Sequence, residues 1–382
     1  MQPLRIAMIG VKSIPAAGGI ARYAEELGSR LAARGHDVTV YCRKHYLDDP
    51  ASGATHKGMR RAVTPGLRGK YFDAPTHTLT AAVDSLWKDF DVLHVHGLAP
   101  GFVTPFVRGM SRKRIVLTVH ACDWQGSKWG SIARQCMKQA AGVALGFSHR
   151  VTVVSRGLEQ LMRENGHDAC YAPPGVRVPE IMPPAEILAH GIEPHRYVLC
   201  VARLMPEKGI HYAVEAFKRI PGDLQLVIAG DCPYRSGYVD RLKAEADDRV
   251  KFVGYATGRF LEELYSNAYL YLQPSDLEGL SVALLEAMSY GRCVLASDIP
   301  QNVEGLGGHG HLFRAGDVDA LTHQLQRLLD DPLACRSEFD PAREHVAREF
   351  NWERTTDIFE DVYASCLTKR VNQQLQALNM GN

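Results

Sequence analysis

Short runs rich in Val, Ile and Leu alternate along the chain with longer stretches in which apolar residues recur every three to four positions. In the first half the runs predict strands at Leu4–Ile9, Asp37–Cys42, Val92–His96, Ile115–His120 and Arg150–Val154. The periodic stretches predict helices at Ile20–Arg34, Ala81–Lys88, Gly130–Gly146 and Arg156–Glu164. Strands this uniformly apolar are covered on both faces, which implies a parallel sheet between helices. A stretch holding Pro173, Pro174, Pro179, Pro183, Pro184 and Pro194 then breaks the pattern and reads as a linker. Beyond it the alternation restarts. Strands are predicted at Tyr197–Ala202, Gln225–Ala229, Val250–Val253, Leu270–Gln273 and Cys293–Ala296. Helices are predicted at Gly209–Arg219, Tyr238–Ala246, Arg259–Ser266, Leu280–Tyr290 and Val318–Leu329. The fold class is therefore α/β, with two consecutive Rossmann-like parallel-sheet domains. Ligands of such sheets bind at the carboxyl ends of the strands, so the expected site faces a cleft between the halves. Helical periodicity returns over Asn351–Leu367.

Composition adds little until it is read by halves. The 382 residues are 46% hydrophobic and 23% charged, ordinary for a globular chain and unlike disordered or fibrous ones. No apolar run reaches the roughly 18 residues of a membrane span. The start, Met1 to Gly10, reads as a buried strand rather than a signal peptide. Nine cysteines are scattered without a CxxC pair, which argues against a zinc ribbon and for free thiols in a reducing cytoplasm. Net charge is +1, yet residues 1–178 carry 24 Lys and Arg against 13 Asp and Glu, and residues 179–382 carry 20 against 30. A basic first half points to an anionic partner: nucleic acid, a phosphate-bearing lipid or an anionic membrane surface. Arg108, Arg112, Lys113 and Arg114 close the apolar stretch Phe102 to Met110, where a solvated helix end is the plainer reading.

Several residues carry chemistry. Gly18 and Gly19 follow the first strand and open the first helix. Glycines there let a phosphate approach free N–H groups, although such a pair serves a turn equally well. The dinucleotide GxGxxG spacing is absent after the first strand. Arg203 and Lys208 bracket a Pro-containing turn directly after a strand, a placement suited to a diphosphate leaving group. A surface pair with Glu207 is the competing reading. Glu278 precedes, and Glu286 lies inside, the helical stretch from Leu280. A carboxylate within an apolar helix needs a hydroxyl or other donor. N–H groups near Leu280 and Ser281 would be free for phosphate. His120 ends an apolar strand at the ligand edge, and Asp123, three residues on, would orient it or face the acceptor. Asp317-Val318-Asp319 starts a helix and reads as a cap, not a metal-binding DxD.

Together these segments resemble the family 4 retaining glycosyltransferases of the GT-B fold. The resemblance runs through GGIARYAEELGSRLAARGHDVTVYCR, VLTVHACDW, VTVVSRGLEQL, VARLMPEKGIHYAVEAF, LVIAGD and DLEGLSVALLEAMSYG, nearly the whole chain. GVKSIPAAGGIARYAEEL, VYCRKHY and DWQGSKWG look most like bacterial rhamnosyltransferase-type enzymes of surface polysaccharide assembly. The resemblance implies transfer of a hexosyl group from a nucleotide diphosphate sugar to an acceptor hydroxyl, without a metal or other cofactor. It places Gly18, Gly19, Arg203 and Lys208 on the diphosphate, with Gly279, Leu280 and Ser281 at the helix start. Glu278 would hold the sugar and Glu286 the ribose. His120 would lie beside the sugar, the Phe252–Tyr255 backbone (Val253 and Tyr255 included) against the base, and Gly230 on the pocket wall. It implies an N-terminal acceptor domain, 1–178 with 352–382, and a donor domain, 179–351. The partners implied are a nucleotide sugar and a saccharide or lipid-linked saccharide, in the cytoplasm or at the inner face of the plasma membrane, and no nucleic acid. Pro173-Pro174-Gly175 stands where the family often has Pro-Asn-Gly, and Cys232-Pro233-Tyr234-Arg235 is individual. A nucleotide-sugar epimerase or phosphorylase, or a non-catalytic nucleotide-sugar-binding protein, are the alternatives. An NAD-dependent oxidoreductase lacks its fingerprint.

Overall fold

A computed structural model describes residues 2–15, 18–47, 54–69, 72–122, 131–232 and 237–379. The chain divides into two compact units, Met1–Pro174 with Trp352–Asn382, and Gly175–Asn351. Each is a sheet with helices packed on it, and the two sheets are the Rossmann-like pair that the alternation predicts.

Unit 1 holds β1 (Arg5–Ile9), β2 (Asp37–Arg43), β3 (Thr55–His56), β4 (Met59–Thr64), β5 (Val92–His96), β6 (Arg114–Val119), β7 (Arg150–Val153) and β8 (Cys170–Tyr171). Their order is β3-β4-β2-β1-β5-β6-β7-β8. All neighbours are parallel except the β3–β4 hairpin. Its helices are α1 (Gly19–Ala33), α2 (Asp73–Leu86), α3 (Thr104–Met110), α4 (Ser131–Phe147) and α5 (Arg156–Glu164). The sheet is wider than the apolar pattern predicts, because β3 and β8 are two-residue edge strands and β4, next to β3, carries Arg60 and Arg61. Helix α2 also begins eight residues before Ala81. Its first turns hold Thr76, Thr78 and Thr80, weak helix formers that hide the period, but Asp73, His77 and Thr78 are buried there.

Unit 2 holds β9 (Tyr197–Val201), β10 (Gln225–Ala229), β11 (Val250–Gly254), β12 (Leu270–Gln273), β13 (Cys293–Ser297) and β14 (His311–Phe313), ordered β11-β10-β9-β12-β13-β14 and parallel. The helices are α6 (Glu186–Ala189), α7 (Ile210–Arg219), α8 (Gly237–Glu245), α9 (Gly258–Asn267), α10 (Val282–Ser289), α11 (Pro300–Leu306), α12 (Val318–Asp330), α13 (Pro332–Arg336) and α14 (Phe339–Glu349). The core places strand residues Val198, Cys200, Ile228, Leu272 and Leu295 against Phe217 of α7 and Leu321 and Leu325 of α12. Asp317 caps α12 by accepting from the Ala320 N–H at 2.9 Å, so the Asp-Val-Asp segment is a cap.

The last helix, α15 (Trp352–Asn379), belongs to unit 1. Charge fastens it to α1. Arg30 pairs with Glu353 at 3.0 Å, and Arg34 pairs with Glu353 at 2.8 Å and Glu360 at 2.7 Å. Tyr363 on α15 is fully buried, its hydroxyl 2.9 Å from His94 Nδ1 on β5.

Candidate active site

The expected donor residues of unit 2 all fall at or just beyond the carboxyl ends of its strands, or on α10. After β9 the chain passes Arg203 and a 3-10 turn, Pro206–Lys208, into Gly209, which is left-handed at φ 65°. A Cβ at Gly209 would stand 1.8 Å from the Pro274 carbonyl oxygen, so this turn lies directly on the turn after β12. The Asp276 and Leu277 N–H groups both donate to the Glu207 carbonyl, at 3.0 and 3.3 Å, and sew the two turns together. Their contact sets the central pair. Lys208 Nζ is 2.7 Å from Glu278 Oε2, with only 13% and 10% of the side chains exposed. Lys208 is thus paired with Glu278, seventy residues on in the chain. The ammonium also donates to the Leu277 carbonyl at 3.1 Å, which leaves one of its three donors. Glu278 Oε1 accepts from Gln273 Nε2 at 2.9 Å and from Ser275 Oγ at 2.8 Å.

Arg203 is exposed and makes no side-chain hydrogen bond or ion pair among the described residues. Its turn is held by the Leu204 N–H donating to the Asp231 carbonyl at 3.2 Å, just past Gly230. Gly230 itself is a steric necessity: a Cβ there would meet the Ala202 carbonyl oxygen at 1.8 Å. Its N–H donates to the Gly254 carbonyl at 2.7 Å. The ends of β9, β10 and β11 are thereby drawn tight, with Val253 half-buried on β11 and Tyr255 62% exposed beyond it.

Helix α10 starts at Val282, two residues later than its apolar pattern predicts, because Ser281 is its N-cap. Ser281 Oγ accepts from the Leu284 N–H at 3.2 Å and donates to Gln273 Oε1 at 3.2 Å. Gly279 and Leu280 form the turn ahead of the helix, at the positive end of its dipole. Inside the helix, Glu286 has the donor that its apolar surroundings demand: the Tyr265 hydroxyl lies 3.3 Å from Oε2. Tyr271, fully buried, donates to Gln273 Oε1 at 2.6 Å and completes the polar floor.

In unit 1, Gly18 caps α1 at φ 100°. A Cβ at Gly18 or Gly19 would meet no described atom within 4 Å. His120 follows β6 and stacks on the fully buried His96, with His96 Nδ1 3.2 Å from His120 Nε2. The Tyr23 ring meets His120 edge-on at 4.9 Å, fixed by its hydroxyl on the Ala172 carbonyl at 2.8 Å. Burial pushes His120 down to about 3 and His96 far below its ordinary value, so both are neutral. His94, also pushed down to about 3 by burial, hydrogen-bonds Thr118 at 2.6 Å. Asp123 and residues 233–235 lie outside the described residues.

Gln273, Ser275, Tyr265, His96 and Tyr23 were not legible as site residues. For the first two a signal existed, since Gln273 ends an apolar strand and Ser275 follows it, three residues before Glu278. His96 and Tyr23 sit among apolar residues and look like core.

Residues 195–331 match the family model described as "Glycosyl transferases group 1", and residues 17–178 match "Glycosyltransferase Family 4". Glycogen synthase of Mycobacterium tuberculosis is 26% identical, aligned over 98% of this chain and 97% of its own. A GDP-mannose-dependent alpha-(1-6)-phosphatidylinositol monomannoside mannosyltransferase of Mycolicibacterium smegmatis is 28% identical over 90% of this chain and 93% of its own. Among solved structures, sucrose-phosphate synthase from Thermosynechococcus elongatus aligns with a TM-score of 0.82 and 26% identity, covering 96% of this chain and 100% of that one. Anabaena HepE in complex with UDP and glucose shares the fold, with a TM-score of 0.77 and 17% identity over 95% and 100% of the two chains.

Proposed function

The chain belongs to the family 4 glycosyltransferases of the GT-B fold, and on that footing we propose that it moves a hexosyl group from a nucleoside diphosphate sugar to a saccharide or lipid-linked saccharide hydroxyl with retention of anomeric configuration. Glycosyl transfer from a nucleotide sugar in glycan biosynthesis is the activity of the family. The observation that carries the finer reading is the Lys208–Glu278 pair, held by Gln273 and Ser275 at the strand ends of unit 2.

As the sugar C1–oxygen bond breaks, negative charge builds on the leaving diphosphate. Arg203 and the remaining Lys208 donor meet that charge, and cations placed beforehand stabilise it more in the transition state than in the ground state. The N–H groups at the start of α10 and the backbone at Gly18 and Gly19 add uncharged donors. Glu278 accepts hydroxyls of the transferred sugar, and Glu286 accepts those of the ribose. Val253 to Tyr255, with Gly230, bound the base. Because His120 is neutral, it acts as a hydrogen-bonding group beside the sugar rather than as a fixed cation. Same-face attack by the acceptor hydroxyl, whose proton passes to the departing diphosphate oxygen, accounts for retention, so no side-chain nucleophile is assigned. With two cations on the diphosphate, we propose that transfer needs no metal. A lipid-linked acceptor fits the basic first half and puts the enzyme at the cytoplasmic face of the plasma membrane.

Names of relatives guide the test. One relative uses GDP-mannose, and HepE was solved with UDP and glucose. A thermal-shift screen should therefore span GDP-, UDP-, ADP- and dTDP-sugars, the last including dTDP-rhamnose. The true donor raises the melting temperature by mass action, and NMR of the product reads the anomeric configuration. A screen in which no nucleotide sugar stabilises the protein, or an inverted product, rejects the reading.

A further inference from the structure

We infer that the face of unit 1 formed by α2, α3 and α4 docks on the surface of an anionic phospholipid bilayer. The inference builds on the proposed membrane-side acceptor but is tested by binding, not by transfer.

Helix α3 packs between α2 and α4, so the three make one continuous layer. Their outer surface is unusually apolar. Leu79 and Val83 project from α2, Phe106 and Met110 from α3, and Phe147 from α4, all exposed. Trp87, which caps α2, is 87% exposed, and Met110 is 65% exposed. Large apolar side chains gathered on one helical layer mark an interaction surface, where single ones would not.

Charge then selects the occupant. Exposed cations stand on these helices and the turn after α3: Arg108 on α3, Arg112 just beyond it, and Arg134 and Lys138 on α4. Arg112, Arg134 and Lys138 are exposed and have no acidic partner among the described residues. Among the described residues, Arg108 donates to the Phe147 carbonyl, at 3.1 Å, and to no acid. The helix pair α1 and α15 is arranged differently, its Arg30 and Arg34 neutralised by Glu353, Asp357 and Glu360. The acids near α2 are already engaged: Asp84 holds Lys88 at 2.6 Å, and Asp89 holds Arg5 at 2.7 Å. A second copy would bring the same positive charge and be repelled. Nucleic acid would answer the cations and its bases can stack on Phe147, but it offers nothing to the aliphatic Leu79, Val83 and Met110. A bilayer interface answers both, with acyl chains for the apolar side chains, anionic headgroups for the cations and an interfacial depth that suits an exposed Trp.

The test is co-sedimentation of the full chain with vesicles of phosphatidylcholine alone and of phosphatidylcholine mixed with phosphatidylglycerol. Two variants accompany the wild type: Met110→Asp with Phe147→Asp, and Arg134→Glu with Lys138→Glu. All four positions are exposed, so folding is preserved, and an unchanged melting temperature with its unchanged shift by nucleotide diphosphate checks this. Wild type should bind the mixed vesicles only. The charge variant should bind at least about fivefold more weakly per cation removed, and salt should mimic it. The apolar variant should lose binding at every salt concentration. Equal binding to both vesicle types, or undiminished binding by both variants, overturns the proposal. So does a dimer or an RNA complex that the same substitutions abolish while the protein ignores vesicles. Binding to anionic vesicles without transfer to any lipid-linked acceptor would leave the docking face standing and remove only the lipid acceptor.

Discussion

His96 Nδ1 and His120 Nε2 stand 3.2 Å apart between rings inclined by 24°. Burial keeps both imidazoles neutral, so one nitrogen of the contact must carry the proton and the other a lone pair. His96 therefore acts as a positioning residue that fixes the tautomer and orientation of His120. Replacing His120 with Ala should lower kcat by about a hundredfold, within the range for a lost proton-handling or hydrogen-bonding group, and leave donor KM nearly unchanged. His96→Ala should lower kcat in the same direction by less, and His96→Gln, which can still donate or accept, should recover part of it. Equal loss in kcat and donor affinity for His96→Ala would show a merely structural role.

His94, His96 and His120, among several histidines depressed by burial, also set a pH dependence of stability. His94 and His120 fall to about 3, and His96 falls with them, whereas each would titrate near 6.5 in the unfolded chain. The unfolded state thus binds more protons below pH 6.5, and stability must decline as pH falls from about 6.5 towards about 3. Urea titrations at stepped pH should show that decline, and it should be shallower in the His96→Gln variant.

The proposed donor roles of Lys208 and Glu286 make a prediction about binding. Charge-assisted hydrogen bonds are each worth about 1.5–3 kcal/mol, so Lys208→Ala should weaken nucleotide diphosphate binding by one to two orders of magnitude. Lys208→Arg should not restore it, because a planar fork cannot copy the contacts to Glu278 Oε2 and the Leu277 carbonyl. Glu286→Ala should raise donor KM more than it lowers kcat. Calorimetry with the nucleoside diphosphate and steady-state kinetics read these effects; wild-type affinity in both alanine variants would remove these residues from the donor site.

Two glycines carry a steric prediction. Gly209→Ala and Gly230→Ala each put a methyl group 1.8 Å from a carbonyl oxygen, and Gly209 adds a left-handed backbone. Each should destabilise unit 2 by more than about 2 kcal/mol, the scale of overpacking plus backbone strain. Chemical denaturation would detect it, and a neutral outcome would mean the two turns are free to part.

A metal-free mechanism makes a simple forecast. Exhaustive treatment with EDTA should leave the transfer rate within twofold of the untreated enzyme, about 0.4 kcal/mol in the barrier. A loss that magnesium or manganese restores would contradict the assignment of Arg203 and Lys208 as sufficient charge.

The sheets were legible because buried parallel strands must be apolar along their whole length, as Val92–His96 and Leu270–Gln273 are. Strands β3 and β4 escaped notice because a half-exposed edge hairpin tolerates His56, Arg60 and Arg61. Lys208 and Glu278 could be selected by residue type and by their place after strands. Their contact could not, since it depends on Gly209 lying against Pro274, 65 residues further along the chain. The support of His94 by Tyr363 is of the same kind: two ordinary residues, 269 positions apart, that only the completed fold unites.

Unit 1 is discontinuous: a ribosome finishes all of its strands long before it makes α15, while unit 2, residues 175–351, emerges whole in between. Until the last helix arrives, His94 lacks the hydroxyl of Tyr363 and Arg34 lacks its three acids. Any message cut short ahead of Trp352 would therefore yield a finished unit 2 joined to an unfinished unit 1, so that completion of the first unit is deferred to the close of translation.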